Sequence, residues 1–377
     1  MTTVVEEEDL QIPVNIITGF LGSGKTTLLN KWVNTEEFKD TLVLINEFGD
    51  VGLDHELVQA VDDTVVLLGS GCICCSLQGE LIDSLTQNYI KAKKGLIPNF
   101  KRVLIETTGL ADPSGVISTL AGDEFVMNYY RYDGTVTVLD GQFIREQLKN
   151  QYETVKQIAL ADIILISKTD LIDSDEIDAI CEVAAKINPS ARIYPTLNGN
   201  ITPKIIEEIG PYKNSDHQNP DKVAAWLNIK DKSVASPFKP ASVSATAGIA
   251  KPKIIAHSNI ESFCVSVKDP LEPLALLSAI SIVQEQYGDS ILRIKGIVNL
   301  KDQPKPVVIH GVQGNLYPLT ELNSWPSDDH DSKLVFIVRA SVLDQIKYIF
   351  ERELTNPDEA ALRYYQNIVN SAETIDQ

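Results

Sequence analysis

The stretch Gly19-Phe20-Leu21-Gly22-Ser23-Gly24-Lys25-Thr26 constrains the fold of this chain more than any other. It matches G-x-x-x-x-G-K-[ST] and lies between a strand-like run, VNIIT at 14–18, and a helical pattern, TTLLNKWV. Glycines in such a loop let backbone N–H groups converge on phosphate oxygens at the positive end of a helix. Lys25 is then expected to neutralise β- and γ-phosphates, and Thr26 to ligate Mg²⁺.

The rest of the first half continues the strand–helix alternation. Apolar runs recur at 41–45 (TLVLI), 64–68 (TVVLL), 102–106 (RVLIE), 135–139 (TVTVL) and 162–167 (DIILIS), separated by segments long enough for crossover helices. Strands apolar on successive residues suit a sheet covered on both faces. The expected fold is therefore α/β, a doubly wound P-loop sheet with a second, smaller α+β C-terminal domain. The expected division is an acidic leader at 1–12, a P-loop domain at 13–213, a flexible linker at 214–256, the α+β domain at 257–356 and a tail at 357–377. In the second domain ESFCVSV alternates, placing Phe263, Val265 and Val267 on one face, and Leu274, Leu277, Ile280 and Val283 recur at helical spacing.

Two further motifs bear on the nucleotide. RVLIE runs into Glu106-Thr107-Thr108-Gly109, where an acidic strand end can act on the Mg²⁺ shell and Gly109 N–H can approach a γ-phosphate. DIILIS runs into Ser167-Lys168-Thr169-Asp170, of the form [NST]-K-x-D. A carboxylate at Asp170 accepts from guanine N1–H and N2–H₂, whereas adenine offers a lone pair at N1 and no 2-amino group. GTP is thus preferred over ATP, with Thr196–Asn198 a second candidate contact to the base.

The chain has only five cysteines, yet Cys72, Cys74 and Cys75 fall within four positions, after a strand and before a helical SLQGELIDSL. No apolar run reaches bilayer length and the start is acidic where a leader peptide would be basic, so cytoplasm or nucleus is expected. In that reducing setting clustered thiols read as metal ligands sooner than as disulfides, and three thiolates suit Zn²⁺ with one position open. Buried packing and redox chemistry are the rival readings. Glu47, Asp50 or water are candidates for the fourth ligand. Cys181, Cys264 and the dispersed His55, His217, His257, His310 and His330 read as packing or surface residues. The formal charge of −19 disfavours nucleic acid and anionic membrane as partners.

GFLGSGKTT, INEFGDVGLD, GCICC, ETTGLADP and SKTD, in this order, resemble the CobW-type metallochaperone GTPases, most closely the eukaryotic zinc-regulated GTPase metalloprotein activators. The resemblance covers about residues 12–200, with a weaker likeness over 257–353. It implies GTP, GDP, Mg²⁺ and Zn²⁺ as ligands. It implies phosphate and Mg²⁺ contacts from Gly22, Gly24, Lys25, Thr26 and Thr27, metal ligation by Cys72, Cys74 and Cys75, and base reading by Lys168 and Asp170, while Gly19 and Ser23 of the same loop are further expected nucleotide contacts. Glu106 matches the family's acidic strand-end residue, and Gly109 ends the same motif. It further implies slow GTP hydrolysis controlling metal delivery to a client metalloenzyme, which in animal relatives is methionine aminopeptidase. Ser167 stands where the family has Asn, the histidine-rich stretch of relatives is missing, and MTTVVEEEDLQI lacks the cysteine of their docking segment. Three alternatives stay open: a cobalt chaperone, a non-catalytic nucleotide-gated zinc sensor or buffer, and a small-molecule P-loop kinase.

Overall fold

Burial on both faces turns the apolar runs of the first half into one parallel sheet. The computed structural model describes residues 11–46, 65–68, 76–209, 259–317 and 319–355. Seven strands, β1 (Ile12–Thr18), β2 (Thr41–Asn46), β3 (Val65–Leu68), β4 (Arg102–Glu106), β5 (Tyr130–Asp140), β6 (Ile163–Ser167) and β7 (Arg192–Pro195), lie in the order β3-β2-β4-β1-β5-β6-β7. Every neighbouring pair is parallel, so all carboxyl ends share one edge. The helices are α1 (Lys25–Val33), α2 (Ser76–Lys93), α3 (Ser114–Gly122), α4 (Glu124–Tyr129), α5 (Ile144–Asn150), α6 (Tyr152–Leu160) and α7 (Ser174–Ile187). On one side of the sheet Leu28, Leu29 and Trp32 of α1 pack with Ile17, Val43, Leu104, Val138 and Leu165 in a single core cluster. β1 sits between β4 and β5 where the strand order reverses, the place at which open α/β sheets bind ligands beyond the carboxyl ends.

Two elements of this sheet differ from the sequence expectation. β5 starts at Tyr130, five residues before the apolar run, and β7 has no counterpart among the apolar runs. The early half of β5 reads as polar because it carries Arg131 and Asp133, both buried. Arg131 Nη2 lies 3.5 Å from Asp133 Oδ1, and Asn15 Nδ2 donates to the Asp133 carbonyl at 2.6 Å. The β1–β5 register shifts between Val14 and Ile16, beside Gly134 at φ 105°. One extra residue of β5 is accommodated there, between the partners of Val14 and Ile16.

The second unit is built on the antiparallel order β11-β10-β9-β13-β8, from β8 (Ile260–Val267), β9 (Ile291–Val298), β10 (Val307–Val312), β11 (Asn315–Leu316) and β13 (Ser332–Arg339), with β12 (Thr320–Glu321) on β10. Two helices, α8 (Pro273–Tyr287) and α9 (Leu343–Thr355), join Phe263, Val265, Ile294, Val298, Leu334 and Phe336 in one core. Phe263 stacks on Phe336 with ring centroids 4.9 Å apart, and Phe350 meets Phe336 edge-on at 4.8 Å. The buried stripe of α8 is Leu276, Ala279, Ile280 and Val283, whereas Leu274 and Leu277 are half-buried. Spacing by threes drifts around a helix of 3.6 residues per turn, so only the last two residues of the expected stripe reach the sheet. Among the described residues no helix is long and apolar enough to cross a membrane.

Asn188, fully buried at the end of α7, closes the end of α6. Its Nδ2 donates to the carbonyls of Ile158 (2.8 Å), Ala159 (3.1 Å) and Ala161 (2.8 Å), and its Oδ1 accepts from Ser190 Oγ at 2.8 Å. Helix-end carbonyls buried without such a donor are costly. Asn188→Ala is expected to lower stability by about 3 kcal/mol, read as a lower urea midpoint with unchanged slope; a loss under about 0.5 kcal/mol would show that these carbonyls are satisfied in another way.

Candidate functional site

The turn after β1 bends in a way only glycines adopt readily. Gly19, Gly22 and Gly24 have φ of 143°, 72° and 97°, with Gly24 capping α1 in the left-handed region. The loop thereby directs the first amides of α1 and the Lys25 side chain to one place. Lys25 is buried, and its Nζ donates to the Phe20 carbonyl at 3.1 Å. Ser23 Oγ is buried without a hydrogen-bond partner among the described residues, a hydroxyl suited to complete its bonding on an anion. Thr27 is exposed on the first turn of α1.

Thr26 and Glu106, eighty residues apart in sequence, meet at this edge. Thr26 Oγ1 donates to Glu106 Oε1 at 2.8 Å, while Glu106, at the end of β4, is 5% exposed. Two hard oxygens this close, beside a phosphate-type loop, fit Mg²⁺, which takes few protein ligands and completes its shell with water and phosphate. The segment after β4 is tied down on both sides. Thr107 Oγ1 bonds Thr18 Oγ1 at 2.8 Å, and Gln157 Nε2 of α6 donates to the carbonyls of Gly109 (3.4 Å) and Ala111 (3.2 Å). Lys156 forms an ion pair with Asp112. Gly109 packs so tightly on the backbone of Leu21 that no Cβ fits there.

On the other side of β1 the loop after β6 reaches the phosphate loop. Ser167 Oγ donates to the Ser23 carbonyl at 2.6 Å, with the Leu139 carbonyl 3.0 Å away. Lys168 holds φ 53° and ψ 36°, and its Nζ donates to Asp140 Oδ2 at 2.6 Å. Asp170 is exposed. Thr196 lies alongside: its carbonyl accepts from Thr169 Oγ1 at 3.2 Å, and its own Oγ1 is buried with no hydrogen-bond partner among the described residues. Leu197 and Asn198 are exposed next to it, Asn198 at φ 51°.

Thus Gly19, Gly22, Ser23, Gly24, Lys25, Thr26, Glu106 and Gly109 converge at the carboxyl edge, with Lys168 and Asp170 on the adjoining loop. Cys72, Cys74, Cys75, Glu47 and Asp50 lie outside the described residues, as do the linker at 214–256, the tail at 357–377 and His55, His217 and His257. Among the described residues no group of three His, Cys, Asp or Glu side chains is arranged to hold a metal. Cys181 and Cys264 are free thiols, half-buried, and burial pushes both above the ordinary thiol range, so they stay protonated and are poor ligands near neutral pH. His310 is buried in β10, and its ring stacks on Tyr317 at 5.0 Å.

Pattern reading missed Asp140 and Gln157. Asp140 carried a usable signal, an acidic residue ending an apolar strand before Gly141, the same grammar that marks Glu106. Gln157 carried none, since a glutamine inside an amphipathic helix is ordinary.

A seven-stranded sheet with a phosphate loop leaving its central strand, and a threonine–glutamate pair beside that loop, defines a P-loop nucleoside triphosphatase. The family model described as CobW/HypB/UreG, nucleotide-binding domain, matches residues 13–195, and that of the cobalamin synthesis protein cobW C-terminal domain matches 260–354. The zinc chaperone YjiA of Escherichia coli is 30% identical over 330 residues, spanning 86% of this chain and 93% of that protein. The chain belongs to this CobW family. Zinc-regulated GTPase metalloprotein activator 1 of Schizosaccharomyces pombe is 35% identical over 216 residues, 55% of this chain and 51% of that one. The zinc chaperone CobW of Sinorhizobium sp is 26% identical over 331 residues, 80% of this chain and 85% of that one. The crystal structure of Zn(II)-bound YjiA from Escherichia coli has the same fold, with a TM-score of 0.63 at 23% identity over 90% of this chain and 98% of that one.

Gly109→Ala is expected to reduce GTP turnover by on the order of tenfold or more by displacing Leu21 and the phosphate loop. Gly115→Ala, on α3 where an added Cβ meets nothing within 4 Å, should leave turnover unchanged; equal rates for both variants would show that the Gly109–Leu21 contact is dispensable.

Proposed function

We propose that this protein is a GTP-dependent zinc chaperone that carries Zn²⁺ on Cys72, Cys74 and Cys75 and delivers it to an apo-metalloenzyme. The observation that carries the reading is the strand register at the carboxyl edge. Leu68, the last residue of β3, pairs with Asn46; Ile45 pairs with Glu106, and Glu106 with Ile17. With neighbouring strands about 4.8 Å apart, β3 ends about 10 Å from the Thr26–Glu106 pair. The three cysteines fall in sequence between that strand end and the start of α2.

In this reading Gly19, Gly22, Ser23, Gly24 and Thr27 cradle the phosphates. Lys25 balances charge on the transferred phosphoryl group, while Thr26 and Glu106 hold Mg²⁺ and its water shell. Gly109 N–H senses the γ-phosphate, and Lys168 and Asp170 read guanine. Metal is cargo here, and a three-thiolate site leaves a position through which a client ligand can take it. Glu47 is the proposed fourth ligand before transfer. Because Glu47 follows β2 directly, γ-phosphate contacts at this edge can change how tightly the cargo is held. The names of the relatives support zinc as that cargo.

The client is proposed to dock over the same edge. Leu21, Leu110, Phe143, Leu171 and Leu197 all stand exposed in loops there, an apolar rim suited to a protein surface. Methionine aminopeptidase is the client implied by likeness to the eukaryotic activators, with the cytoplasm as the place of transfer.

Purified protein should bind one zinc ion per chain and lose it in Cys74→Ser, while Cys181→Ser and Cys264→Ser retain it. Lys25→Ala should lower multiple-turnover GTP hydrolysis by about a hundredfold or more. Full zinc binding by Cys74→Ser would remove the thiol site from the proposal, and undiminished hydrolysis by Lys25→Ala would remove the phosphate loop.

A further inference from the structure

The loop after β5 buttresses the loop after β6 through one buried carboxylate, Asp140, only 1% exposed. Its Oδ1 accepts from the backbone N–H of Gln142 at 3.0 Å and of Phe143 at 3.3 Å, which closes its own turn. Its Oδ2 accepts from Lys168 Nζ at 2.6 Å. Closing the turn occupies one oxygen; the other is committed to a cation of the neighbouring loop. Two more bonds fix that loop: Gly141 N–H donates to the Ser167 carbonyl at 3.0 Å, and Ser167 Oγ reaches the Ser23 carbonyl. Lys168 stands in the left-handed region, unfavourable for a residue with a Cβ, at the head of the turn that carries Asp170. The Phe143 ring lies beside it, 5.9 Å from Nζ.

We infer that Asp140 is a positioning residue for the nucleotide base, acting through Lys168. Two carboxylates compete for this ammonium, Asp140 and Asp170. Lys168 pairs with Asp140 and not with Asp170, two residues along, which leaves the exposed Asp170 oxygens free to accept from guanine N1–H and N2–H₂. The same pair offsets the conformational cost of the Lys168 backbone and so fixes the direction in which the loop presents Asp170. The inference rests on the reading of 167–170 as the guanine-reading loop.

Asp140→Asn separates the two jobs of this carboxylate, because the amide oxygen still closes the turn while the charge facing Lys168 is lost. Binding of Mg-GDP and Mg-ADP is to be measured by calorimetry for the wild-type chain, Asp140→Asn, Lys168→Gln and the double variant, with thermal denaturation as the check of folding. The expected result is a GDP affinity weakened about tenfold in Asp140→Asn, the loss of roughly one charge-assisted hydrogen bond. ADP affinity should change by less than about twofold, and the double variant should bind GDP no worse than Lys168→Gln alone. An unchanged GDP affinity, an equal loss for ADP, or additive losses in the double variant would overturn the inference. If Asp140→Asn fails to fold, Lys168→Gln decides: a guanine-selective loss supports the pair, and unchanged GDP binding overturns it. Equal GDP and ADP affinities in the wild-type chain would instead show that the guanine reading has failed, and the inference would fall with it.

Discussion

The hydrogen bond from Thr26 Oγ1 to Glu106 Oε1 joins the start of α1 to the end of β4, and the chemistry of the first unit is arranged around it. Both oxygens are held by backbone that has little freedom to move. Thr26 sits on the first turn after a left-handed glycine, and Glu106 is flanked in register by Ile17 of β1 and Ile45 of β2. A carboxylate this buried needs a donor or a cation at close range. The hydroxyl supplies the donor, and the adjoining phosphate loop marks where a cation with its nucleotide would enter.

From this pair the constraints spread outward through backbone contacts. Gln157 fixes the carbonyls of Gly109 and Ala111, and Asn188 in turn fixes the end of the helix that carries Gln157. Ser167 fastens the loop after β6 to the Ser23 carbonyl, so the two loops assigned to phosphate and base are parts of one hydrogen-bonded assembly. The ends of β2 and β3 adjoin this assembly through strand register, Ile45 pairing with Glu106 and Asn46 with Leu68.

Much of this was legible in the chain, and the physical reason is the burial of the parallel strands. VNIIT, RVLIE and DIILIS stand out because both faces are covered, and each hands on to a motif with its own chemistry. The early half of β5 was hidden by Arg131 and Asp133, whose burial is tolerable because they lie against each other. The stripe of α8 was misplaced because Leu274 and Leu277 are apolar but lie off the face that meets the sheet. Asp140 and Gln157 went unseen for a different reason. The acidic strand end marks Asp140 in the sequence, but its role, like that of Gln157, depends on what the fold brings opposite it, Lys168 in one case and two carbonyls in the other.

The account stands on coupling between the nucleotide edge and the thiols that follow β3. Zinc affinity of the full chain, determined by competition with a chromophoric chelator in the nucleotide-free, Mg-GDP and non-hydrolysable GTP-analogue states, tests that coupling most directly. The account predicts affinities that differ at least about tenfold between the two nucleotide-bound states. Identical zinc affinities in all three states would contradict it.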